Sequence, residues 1–171
     1  MKVFNVSSFA AYSLSCLVFP FLMAYAAVND LLTMRISNRI TGLVVAGFLL
    51  YALASGMALT DFGLHMAAGV LTLVVAFAMF ARGWVGGGDA KLAAATALWL
   101  GMEHLADYIV VASVLGGALT LAILYVRSYP MPAATLRLPF AVKLHDSRTG
   151  IPYGIALAAA ALIVLPTAVG V

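Results

Sequence analysis

Charge is so sparse along this chain that it cuts the sequence into long uncharged intervals, and the lengths of those intervals decide what the chain can fold into. Residues 3–29 run for 27 positions without a charge, 40–60 for 21, 62–81 for 20, 108–126 for 19 and 149–171 for 23. A helix needs about 20 predominantly apolar residues to cross a bilayer. Charged residues make up 9% of the chain and hydrophobic ones 65%, against roughly 25% charged in an average soluble domain. The sequence therefore reads as an all-α polytopic membrane protein, a single transmembrane domain over 1–171. The lipid bilayer is its expected surroundings, and no nucleic-acid partner is expected.

One interval, 92–102, holds only 11 residues and alone suggests a re-entrant or buried segment. The distribution of positive charge decides between the two counts. With six transmembrane helices, at about 9–28, 40–60, 62–81, 89–104, 108–126 and 151–170, eight basic residues fall on one side: Arg35, Arg39, Arg82, Lys91, Arg127, Arg137, Lys143 and Arg148. Only Lys2 lies opposite, so the positive-inside rule makes the crowded side cytoplasmic. If 92–102 did not cross, Arg127, Arg137, Lys143 and Arg148 would all be exported. Six spans are expected, with Asp61, Glu103 and Asp107 outside and a cytoplasmic loop over 128–150. In that loop Pro130, Pro132 and Pro139 break any long helix, and 136–144 either lies along the anionic leaflet or forms a solvated basic loop. Lys2 followed by an apolar run and Ala24-Tyr25-Ala26 mimics a secretory signal, but the run is long enough to span, and cleavage would remove the helix that leads to Asp30. Pro20 is expected to kink that first span.

Against this background, Gly86-Gly87-Gly88-Asp89-Ala90-Lys91-Leu92 places an acid and a base directly behind three glycines. Ionisable residues at membrane depth are costly and point to function, with a partner to be named. The partner is Asp30, which topology brings to the same cytoplasmic face. Each has a plainer reading: Asp89 as an ordinary helix N-cap, Asp30 as a residue that ends a hydrophobic span. Taken together, two carboxylates held close share one proton and supply an acid and a base in one site. The ionised member takes a proton from an attacking water while the protonated member hydrogen-bonds a peptide carbonyl and later serves the leaving amine. No cofactor and no metal is required. Gly86 and Gly88 expose backbone that an extended peptide can approach. Lys91 is expected to snorkel towards headgroups, and Asn38 and Arg35 are candidates for positioning the first acid or the substrate. Cys16 reads as a small buried hydrophobe, His145-Asp146 as an exposed loop pair, and His65 and His104 carry no chemistry.

The run Gly86-x-Gly88-Asp89-x-Lys91-Leu92 resembles the GxGDxKL signature of the bacterial prepilin peptidases, within the GxGD membrane aspartyl protease class. Asp30 followed by Arg35-Ile36-Ser37-Asn38 is similar to that family's first-aspartate motif, with Ser37 where proline is usual. Gly150-Ile151-Pro152-Tyr153-Gly154 resembles the start of the last helix in the short CpaA/TadV-like form that serves Flp/Tad pili. The resemblance implies a multi-pass protein of the bacterial inner membrane that cleaves the leader of type IV (Flp-type) prepilins at the cytoplasmic face. It implies Asp30 and Asp89 as catalytic residues, with Gly86, Gly88, Lys91, Leu92 and Asn38 in support. The longer members' cysteine-containing cytoplasmic insertion has no room between the first two spans, so N-methyltransferase activity is not expected. The alternative from another class is a transporter or ion channel that uses the two acids as a cation or proton site. Such sites tend to lie near the bilayer midplane on broken helices, whereas both acids here fall at span ends.

Overall fold

The computed structural model describes residues 6–168, and every regular element among them is helical. Helix α1 (Val6–Ser13) passes through a π-helical turn (Leu14–Val18) into α2 (Phe19–Thr33). Then come α3 (Asn38–Ser55), α4 (Leu59–Ala81) and α5 (Gly87–Arg127). A 3₁₀ turn (Ala133–Arg137) and the short α6 (Pro139–His145) precede α7 (Tyr153–Ala168). Four runs are long and apolar enough to cross a membrane: Phe9–Thr33, Asn38–Ser55, Leu59–Ala81 and Gly87–Arg127. Lys2 and positions 169–170 of the expected last span lie outside the described residues.

Pro20 takes effect as a π turn. The Phe19 N–H reaches back to the Leu14 carbonyl, one residue beyond the α-helical partner, just ahead of a proline that has no N–H to give and crowds the preceding turn. The helix continues past the expected end at 28, so Asp30 sits in its final turn. Termination comes at Met34, in the left-handed region at φ 57°, whose N–H bonds the Asp30 carbonyl at 2.7 Å. Ser37 then opens α3 as its N-cap, its hydroxyl accepting from the Ile40 N–H. The backbone of Ser37 has φ −75°, a value proline also adopts; serine in that place keeps the chain path and adds a cap.

The largest departure from the expected boundaries lies in α5. This 41-residue element is two helices, 87–100 and 102–127, that meet at Gly101. Its φ of 71° and ψ of −179° belong to a region open essentially to glycine. The expected break fell at 105–107, between Glu103 and Asp107, because charge was its only marker; backbone conformation places it instead at the glycine. There the chain reverses. Tyr108 lies beside Thr96, although about 18 Å would part them along a straight helix. The break leaves carbonyls at the end of the first arm without their helical donors. His65 supplies one, with Nδ1–H to the Leu98 carbonyl at 2.6 Å, while the ring packs on Phe48. His65 also fills the space where a Cβ on Gly101 would fall, 3.0 Å from Cε1. Nearby, the Trp99 Nε1–H bonds the Val44 carbonyl at 2.9 Å within a cluster of Phe19, Phe48 and Tyr51 rings.

Helix α7 is packed against both α2 and α5. Its alanines permit this: Ala156, Ala158, Ala160 and Ala161 are all buried, and small side chains let helix backbones approach closely where lipid offers no competing hydrophobic drive. Gly116 on α5 serves the same end, its bare face filled by the Tyr153 ring. This packing sets the first turn of α7 against the last turn of α2.

Candidate active site

Asp30 is 4% exposed, and its Oδ2 accepts a hydrogen bond from the Gly154 N–H at 2.8 Å. Gly154 lies in the first turn of α7, where backbone N–H groups have no helical partner and the helix dipole is positive. The carboxylate of one helix thus occupies the N-terminus of another. The contact requires glycine, since a Cβ at 154 would stand 2.8 Å from both Asp30 Oδ2 and Ile36 Cδ1. With the Asp30 carbonyl engaged by Met34, this residue is held by main chain and side chain alike.

Asp89 is seated on a helix N-terminus too, that of its own helix. Gly86 is the N-cap of α5, so Asp89 stands three positions further on and is not itself the N-cap. Its carboxylate turns back onto Gly86 and faces that residue's N–H, the placement of the side-chain half of a capping box. A Cβ on Gly86 would fall 2.7 Å from Asp89 Oδ2. Gly88 has a different use: its bare face meets Ile36, whose Cβ would be 3.1 Å from an added Cβ. The openness of these two glycines is thus taken up inside the protein, by the Asp89 carboxylate and by the segment that follows Asp30.

Asp30 and Asp89 line one cavity of about 990 Å³ and lie within electrostatic reach of each other. Most of its wall is built from the ends of elements: Met34 and Arg35 after α2, residues 83–86 before α5 with Gly87 and Gly88 in its first turn, Arg127 at the end of α5, and 149–151 ahead of α7; Ser113 joins them from the middle of the second arm. Asp89 and Arg127, near opposite ends of α5, line the same space because the chain reverses at Gly101. In a straight helix about 57 Å would separate them.

The supporting residues divide differently from expectation. Asn38 does not reach Asp30. Its Oδ1 accepts from the Lys91 Nζ at 2.9 Å, and both residues line a second, apolar cleft of about 540 Å³ between α3, α4 and α5. Lys91 is therefore tied to α3 rather than left to snorkel freely. Leu92 is buried in the core, and Arg35 lines the aspartate cavity. His145 and Asp146 are not among the residues lining it; Asp146 Oδ1 accepts from the Arg148 N–H at 2.9 Å and closes its own turn. Two roles are not visible in the sequence. Gly154, there only the end of the run that resembles the start of the last helix, contributes a backbone N–H to Asp30 from 124 positions away, and Arg127 is there only a positive charge.

These features define a class: an all-helical, multi-pass membrane protein with two carboxylates gathered in one cavity at helix ends. Residues 17–121, both aspartates included, match the type IV leader peptidase family. The chain belongs to that family and is a membrane peptidase, which does not favour the transporter alternative. No curated protein and no solved structure matches it.

Proposed function

We propose that the protein is an aspartyl endopeptidase of the bacterial inner membrane that removes the leader of a type IV, Flp-type prepilin at the cytoplasmic face. The observation that carries this reading is the meeting of Asp30 and Asp89 in one cavity. Two carboxylates in one site share a proton. The ionised one takes a proton from water as its oxygen attacks the scissile carbonyl carbon; the protonated one hydrogen-bonds the carbonyl oxygen and then protonates the leaving amine as the C–N bond breaks. Both acids rest on helix N-termini, which also favour negative charge developing nearby. A prepilin with its hydrophobic helix in the same bilayer brings its cleavage site to the depth of this cavity.

Six crossings suit this reading. The reversal at Gly101 supplies one more crossing than the four long runs, and α7 supplies the sixth. The two arms of α5 then run antiparallel, and every element end lining the cavity lies at one face. Arg35, Lys91 and Arg127 gather at that face, which makes it cytoplasmic by the positive-inside rule. Trp84, Tyr125 and Tyr129 are exposed there, as aromatic residues at a membrane interface are.

The test is cleavage of a purified prepilin by the protein reconstituted in vesicles. A shift in precursor size is expected, and an unchanged precursor with folded enzyme would end the reading. Topology is checked separately. A Lys143→Cys variant lacking Cys16 is expected to react with an impermeant maleimide only from the cytoplasmic side, and labelling from outside would overturn the six-span arrangement.

A further inference from the structure

Asp30 takes its hydrogen bond from a backbone amide, so its placement is only as good as the placement of the chain around Gly154. That chain emerges from the 128–150 connection, and one side chain fastens it. Arg127, the last residue of α5, donates from Nε to the Leu144 carbonyl at 2.7 Å and from one Nη to the Gly150 carbonyl at 3.1 Å and the Thr149 carbonyl at 3.3 Å. The same nitrogen is 3.4 Å from Thr149 Oγ1. A cation suits this position, at the negative end of the α5 dipole. Its partners are a closed turn, since the Thr149 hydroxyl shares its one hydrogen between the carbonyls of Lys143 and Asp146. From Gly150 the path to Gly154 is short and passes through Pro152, whose φ is fixed. None of Arg127's partners among the described residues is a carboxylate.

We propose that Arg127 is a positioning residue for Asp30. It locks the turn that precedes α7 to the end of α5, so that the Gly154 N–H meets the Asp30 carboxylate. The effect on cleavage rests on the aspartyl peptidase reading above; the lock itself does not. A guanidinium presents several donors in a rigid fork, whereas lysine offers a single mobile ammonium. Lysine at 127 therefore keeps the positive charge that topology needs and loses the lock.

The experiment compares full-length Arg127→Lys and Arg127→Met with wild type in the same vesicles. Both variants are expected to lower kcat by roughly 10- to 100-fold, the scale of a misplacement of about 1 Å, with KM for the prepilin within about twofold. A raised KM with unchanged kcat would make Arg127 a substrate contact and overturn the proposal, as would wild-type kcat in Arg127→Lys. Hydrogen exchange on the same proteins gives a readout free of catalysis. Amides over 150–156 are expected to lose protection in both variants while those of α3 keep theirs, and unchanged protection at 150–156 would also overturn it. Because exchange is read whether or not prepilin is cut, failure of the lock and failure of the peptidase reading are told apart. If Arg127→Met does not insert stably, Arg127→Lys alone decides.

Discussion

Asparagine in place of Asp30 or of Asp89 is expected to abolish prepilin cleavage, by roughly 10²- to 10⁴-fold or more, while the protein still inserts and melts as wild type does. The structure explains why the fold survives. An asparagine Oδ1 can still accept from the Gly154 N–H at position 30 and face the Gly86 N–H at position 89, so each helix N-terminus keeps a polar neighbour. What the amide cannot do is take a proton from water or share one with the other acid. The double variant should be about as inactive as either single one, because residues that act as a unit are not additive. Initial rates on a purified prepilin, measured beside a thermal melt, check this. If Asp89→Asn turned over at near the wild-type rate, Asp89 would serve only the helix N-terminus beside Gly86, and the two-aspartate chemistry would fall.

The pairing of Asp30 with Asp89 was legible in the sequence because charge is expensive in an apolar chain. Two acids at the ends of uncharged runs, on the side that collects the basic residues, have few places to go. The helix break was harder to read. Glu103 and Asp107 marked where polarity rises, but the chain turns where the backbone can take φ 71°, at Gly101, and a glycine within an alanine- and leucine-rich run gives no sign of its φ. Asn38 and Lys91 stood out as polar residues near the aspartates, yet they satisfy each other across the helix pair. The glycines before Asp89 were conspicuous too, but the sequence does not say which neighbour fills the space left by a missing side chain. Least legible were Gly154 and Arg127. Their contributions are a main-chain N–H and a set of bonds to main-chain carbonyls, which every residue carries, so only the tertiary path reveals them.

Gly154→Ala should show how closely the first acid must be held. The added methyl would lie 2.8 Å from Asp30 Oδ2 and 3.1 Å from Asp30 Cβ, both inside van der Waals contact. The Ile36 Cδ1 on its other side, also at 2.8 Å, is the far end of a flexible side chain and can turn away. The Asp30 Cβ cannot move without its backbone, so the last turn of α2 must draw back from α7 and take the carboxylate off the Gly154 N–H. Alanine is favoured over glycine within a helix by roughly 0.5–1 kcal/mol, which offsets part of the steric cost and keeps the variant folded. The expected result is a kcat lowered by about 10- to 100-fold with little change in KM and a melting temperature within a few degrees of wild type. Gly117→Ala, on α5, where an added Cβ meets nothing within 4 Å, is the matched control and should cleave normally. Full activity in Gly154→Ala would mean that Asp30 needs neither the amide nor the close packing of α7, and the seating of the first acid on that helix would then be structural alone.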